Sequence, residues 1–106
     1  MRSLNDKALT LLGFAVRAGV CTFGTEACYK GVKNGKVWLI AADTGLSERS
    51  KKDIRNMCEF YETELMWVSP EGELARRTGR GALKLIGITK REMAEAIIKE
   101  VKGTEV

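Results

Sequence analysis

Gly24-Thr25-Glu26-Ala27-Cys28-Tyr29-Lys30-Gly31-Val32-Lys33-Asn34-Gly35 runs into Val37-Trp38-Leu39-Ile40-Ala41-Ala42-Asp43, and the order of these residues decides the fold class. The first twelve predict a short helix. Gly24 permits a tight turn into it, and Thr25 is placed to cap it by bonding a free amide one turn on. Asn34-Gly35 predicts its stop. The apolar run 37–42 shows no alternation, which predicts a strand covered by protein on both faces. A helix start with free amides beside Lys30 has the makings of an anion site.

Upstream, Ser3-Leu4-Asn5-Asp6 offers candidate caps for a helix in which Leu4, Ala8, Leu11, Leu12, Ala15 and Val16 recur at helical spacing. Arg17-Ala18-Gly19 predicts its end, and Val20-Cys21-Thr22-Phe23 a short strand. Downstream, Asp43-Thr44-Gly45-Leu46 reads as a loop, and Ser47 as the cap of a helix with the stripe Ile54, Met57, Cys58 and Tyr61. A strand is predicted over 65–68. Ser69-Pro70-Glu71 then predicts a short helix with proline at its first position, ending at Thr78-Gly79. Arg80-Gly81-Ala82 reads as a loop before a last strand over 83–88. Thr89-Lys90-Arg91-Glu92 fits a capping box, Met93, Ile97 and Val101 a final apolar stripe, and Gly103 its stop before a frayed tail.

Helices and strands thus alternate, which predicts an α/β domain, 1–106, whose largely parallel sheet is covered by helices on both faces. The length is enough for one buried core. At 44% hydrophobic and 30% charged, with a single proline, the composition is that of an ordinary globular chain. No apolar run approaches the roughly 18 residues of a membrane span. The charged, capped start predicts no signal peptide. Three cysteines without a C-x-x-C pair suit buried thiols in a reducing cytoplasm, the expected location.

Chemistry is thinly represented. There is no histidine, and the three cysteines form no C-x-x-C pair, so zinc binding and histidine-based catalysis are close to excluded. No metal or cofactor is expected. Asp43 leaves the central strand where ligands of α/β sheets bind, yet it has no partner acid; accepting loop amides is the alternative. Cys28 sits near a helix start that can lower a thiol pKa, or it is a buried structural thiol. The net charge of +4 is compatible with an anionic partner, with clusters at Arg49-Ser50-Lys51-Lys52 and Arg76-Arg77-Thr78-Gly79-Arg80. Glu26 and Lys30, four apart, form either a solvent ion pair or a face that reads nucleobase edges.

The Gly24–Gly35 helix with its strand into Ala41-Ala42-Asp43 resembles the signature of the L-seven-Ae/L-thirty-e ribosomal protein family. Ser69-Pro70-Glu71-Gly72-Glu73-Leu74-Ala75, Thr78-Gly79-Arg80 and Leu85-Ile86-Gly87-Ile88-Thr89 are similar to its second half. The resemblance covers nearly all of the chain and is nearest to the small bacterial YlxQ-like branch. It implies a three-layer α/β/α sandwich around a four-stranded mixed, largely parallel sheet. It also implies binding to kink-turn RNA, a sharply bent helix with an internal loop of tandem sheared G·A pairs. Gly24 and Lys30 match the family's RNA-contacting positions. Glu26 stands where an asparagine is expected and Ala27 where the family has a carboxylate. An ionised carboxylate accepts but does not donate, so the amide's double role is not reproduced. The loop 78–82 matches a second contact loop and presents Arg80 between glycines, suited to phosphate or base stacking.

Together these readings predict a monomeric, non-enzymatic protein that binds structured RNA, ribosomal or ribosome-associated, and no membrane. Lys30 would clamp the RNA on a platform of Gly24, Thr25 and Glu26; Arg80 and Arg77 would grip its backbone, and Lys51 would extend the contact. A protein-interaction module on the same scaffold is the other reading left open.

Overall fold

The structure is a computed structural model that describes the backbone of residues 3–104 and side chains as far as Val101. Nine elements follow one another: α1 (Asp6–Arg17), β1 (Cys21–Phe23), α2 (Thr25–Lys33), β2 (Leu39–Asp43), α3 (Glu48–Phe60), β3 (Glu64–Val68), α4 (Glu73–Thr78), β4 (Leu85–Ile88) and α5 (Arg91–Thr104). Asn5 caps α1, its side chain accepting from the Ala8 amide at 2.8 Å, and Ser47 caps α3 through the Ser50 amide at 3.1 Å. Both caps were legible as short polar residues just ahead of an apolar stripe.

The strands lie in the order β1-β4-β2-β3. Three of them, β1, β2 and β3, point the same way, but only β2 and β3 pair in parallel. β4 runs against both β1 and β2, so two of the three pairings are antiparallel and the sheet is mixed rather than largely parallel in its ladders. The crossover through α2 sets β1 one strand-width away from β2, and the last strand fills that gap. Such an insertion depends on a residue 40 or more positions away, which local patterning does not encode.

Alternation along β2 separates two cores. Leu39 and Ala41, with Met66, Val68, Ile86 and Ile88, face α1, α4 and α5. Ile40 and Ala42, with Trp67 and Leu85, face Cys28 and Val32 of α2 and Ile54, Met57 and Cys58 of α3. Every residue of β2 is buried, as a non-alternating run requires, and the arrangement is an α/β/α sandwich.

Several local expectations are corrected. Thr25 does not cap α2: Gly24 occupies the cap position at φ 87°, and no side chain bonds the first turn. Trp38 lies outside β2 and is 43% exposed. Tyr61 follows α3 as an exposed residue, its ring edge-on to Phe60. α4 starts at Glu73 rather than at Ser69-Pro70, with Gly72 at its cap position. The strand predicted over 83–88 begins at Leu85. Thr89 does not cap α5; its amide continues the sheet by donating to Val20 O, and α5 begins at Arg91. The backbone of α5 runs through Gly103 to Thr104, past its predicted stop. The last residues, expected to fray, and residues 1–2 lie outside the described residues.

Candidate nucleic-acid interface

Local sequence places the start of α2 at one end of the sheet. The chain leaves β1 at Phe23, and the Gly24 amide donates to Leu85 O on β4 at 3.0 Å, anchoring the turn before the helix. Gly24 can take its positive φ because it has no Cβ. With no side-chain cap, the first-turn amides of α2 are left for solvent or a ligand, and the positive end of the helix dipole stands there. Phe23, Gly24, Thr25, Glu26, Ala27 and Lys30 line a shallow hollow of about 490 Å³ at this point. Thr25, Glu26 and Lys30 are exposed. Glu26 and Lys30 form no ion pair with each other or with another described residue, so both remain available.

Arg80 reaches the same end from the loop before β4. Gly79 and Gly81 on either side take φ of 68° and 43°, and the Arg80 amide donates to Ala75 O at 3.2 Å, which fixes the bend. Its guanidinium carbon lies 3.7 Å from the centroid of the Phe23 ring. That geometry is a cation–π contact, and it leaves the guanidinium edges free to donate. Arg80 has no carboxylate partner among the described residues. Arg80 and Phe23 also line a second hollow of about 710 Å³ with Val16, Thr78 and Leu83. Phe23 therefore joins the two hollows, a role its sequence context as a strand residue did not suggest. Its position immediately before Gly24 was the available signal.

The other predicted site residues are not gathered here. The Arg77 guanidinium is held by Glu73 at 2.8 Å and by Asp6 at 2.6 Å, tying α4 to the first turn of α1. Arg76 pairs with the same Glu73. Hydrogen bonds from Arg76 and Arg77 lower the Glu73 pKa to about 2. Lys51, in the first turn of α3, pairs with Glu48 at 3.3 Å and lines neither hollow.

Asp43 is buried and accepts backbone N–H groups from Gly45 at 2.7 Å, Gly72 at 3.1 Å and Leu74 at 3.3 Å. Its carboxylate supplies the cap that Gly72 lacks for α4, which is the loop-bracing alternative rather than general acid–base chemistry. Burial raises the Cys28 pKa, opposite to the lowering expected of a helix start, with a smaller opposing effect from its Thr22 hydrogen bond. Burial likewise pushes Cys21 up to about 11, partly offset by Arg80, and Cys58 up to about 12. Protonated thiols are poor nucleophiles. Among the described residues no group of three or more metal-ligating side chains converges, and no helix is long and apolar enough to cross a membrane.

No protein-family model matches the chain. Two curated relatives are both named RNA-binding protein YlxQ. The one from Enterococcus faecium is 27% identical over 98 residues, covering 92% of this chain and 94% of the relative. The one from Bacillus subtilis (strain 168) is 25% identical over 88 residues, covering 83% and 88%. Among solved structures, a protein with unknown function from Bacillus halodurans C superposes with a TM-score of 0.85 at 26% identity, covering 92% of this chain and 99% of that one. A Giardia lamblia 15.5kD RNA binding protein gives 0.76 at 15% identity, covering 95% and 92%, a likeness of fold alone.

Proposed function

We propose that this protein binds RNA without catalysing a reaction on it, using the end of the sheet that carries the start of α2, Lys30 and Arg80. The observation that carries the reading is the joining of two hollows through Phe23. One holds uncapped helix amides and an unpaired ammonium; the other holds an unpaired guanidinium. Phosphate and base acceptors need such donors, presented here by the first turns of α2 and by the loop before β4. That the curated relatives are named RNA-binding proteins supports the same class of partner.

The finer reading is a structured RNA with a bent, kink-turn-like internal loop, of ribosomal origin, bound by a monomer in the cytoplasm. Gly24, Thr25 and Glu26 form its platform, Lys30 clamps it, and Arg80 grips the backbone. Lys51 and Arg77 contribute only by giving up their present carboxylate partners, so they rank behind. The deciding experiment is fluorescence anisotropy with two labelled RNAs: a stem–internal loop–stem carrying tandem G·A pairs, and the corresponding unbroken duplex. Preference for the looped RNA, reduced about tenfold by Lys30→Ala and by Arg80→Ala with an unchanged melting temperature, is the expected result. Equal binding to both RNAs removes the kink-turn reading, and binding to neither removes RNA as the partner.

One observation favours a protein-interaction module instead. Glu26 places an unpaired carboxylate in the hollow, where it repels phosphate. Purified protein with a clean ultraviolet spectrum and a stable protein partner would support that reading.

A further inference from the structure

Along the Ala27–Gly31 flank of α2, beside the edge strand β1, lies a further hollow of about 520 Å³. It is lined by Thr22, Ala27, Lys30, Gly31, Lys36 and Trp38 among others, and no carboxylate lines it. Its size is within the range that holds small organic ligands.

Trp38 is the unusual member. It precedes β2, its amide donates to Ile88 O at 2.8 Å, and the residue is therefore fixed to the sheet while 43% of its surface stays exposed. The Arg91 guanidinium carbon stands 5.4 Å from its ring centroid and is held by Glu95 at 2.9 Å. An anchored indole with a cation over it and two lysines beside it is a stacking platform in a positive field. Ala27 and Lys30 line this hollow as well as the one at the helix start, so the two are adjacent.

We propose that this hollow takes one unpaired nucleotide of the bound RNA, its base stacked on Trp38 and its phosphate met by Lys30 and Lys36. The inference rests on the RNA reading above and adds a second contact to it. An unpaired base suits the place because an unstacked nucleotide exposes its π face, and RNA-binding surfaces take such bases on aromatic rings. The positive lining complements the phosphate that accompanies that base and lacks the acids that would repel it.

The protein has two tryptophans, and the other, Trp67, is only 2% exposed. Emission changes on binding therefore report Trp38. The probes are a fluorescein-labelled RNA hairpin whose internal loop holds tandem G·A pairs and three unpaired adenosines, and the same hairpin without the adenosines. Wild-type protein should bind the first about tenfold more tightly, with its tryptophan emission quenched. Trp38→Ala should lose that preference while keeping its melting temperature, Trp38→Phe should retain most of it, and Trp67→Phe should still be quenched. If labelled-RNA anisotropy rises while emission stays constant and Trp38→Ala binds like wild type, the subsite is overturned and the RNA reading stands. Binding of neither hairpin overturns both. Quenching by polyglutamate and not by RNA would assign the hollow to an acidic protein partner and overturn the proposal.

Discussion

Asp43 has no exposed surface, yet its carboxylate is satisfied by three amides, two from loops at Gly45 and Gly72 and one from the first turn of α4 at Leu74. Removing it strands those donors in the interior, where an unsatisfied polar group is costly. Asp43→Ala should lower stability by about 3 kcal/mol in urea denaturation, and a loss under 1 kcal/mol would show that water replaces the carboxylate. Gly31 is constrained differently, because a Cβ there would run into the Val37 side chain. Gly31→Ala should cost about 1–3 kcal/mol by overpacking, read from the same denaturation curves. The glycine was visible in the sequence, but its reason was not, since Val37 reaches it only when the segment after α2 turns back and its amide donates to Gly31 O.

At the scale of elements, the ends of the helices carry most of the local information. Helices α1 and α2 stop at Gly19 and Gly35, both at positive φ, as the sequence predicts. Helix α3 ends in the same way without a glycine: Glu62 takes φ 54°, its amide donates to Glu59 O, and the Thr63 amide reaches Cys58 O at 2.8 Å. Glu62→Gly removes the Cβ penalty of the left-handed conformation and should raise stability by about 1 kcal/mol, measurable as a higher urea midpoint. Helix α4 is held to α1 through Glu73, Arg77 and Asp6, and the Glu73 pKa is lowered from 4.5 to about 2 by its arginine hydrogen bonds. A depressed carboxylate pKa contributes stability above the unfolded value, and that contribution is lost as pH falls through the folded one. The stability difference between wild type and Glu73→Gln should therefore be constant above about pH 5 and vanish toward pH 2. A difference independent of pH would assign the effect to packing.

For the molecule as a whole, the proposed RNA contacts carry a salt dependence that can be stated in advance. Single-stranded and duplex contacts release counterions with log–log slopes of roughly −0.7 to −0.9 per phosphate neutralised. Contacts through Lys30, Lys36 and Arg80 predict a slope between about −2 and −3, which Lys30→Ala should reduce by about one contact. A slope near zero would mean that phosphates play no part. The salt titration needs no knowledge of the natural RNA.

The sequence by itself determined the order of the elements and the main apolar faces of the helices. Periodicity, polar caps and glycine stops are local, so they marked the helices, the fully buried β2, the glycine entry to α2 and the loop that carries Arg80, although the expected Thr25 cap is absent from the structure. Only the tertiary structure decided that β4 inserts antiparallel between β1 and β2, that Asp43 braces α4, and that Arg77 is spent on Glu73 and Asp6. It also set Arg80 over Phe23 and left Trp38 in the open. The division is physical: hydrogen bonds within a turn are fixed by neighbours in the chain, whereas strand order, ion pairing and the sharing of a hollow depend on distant residues brought together by the closing of the two cores.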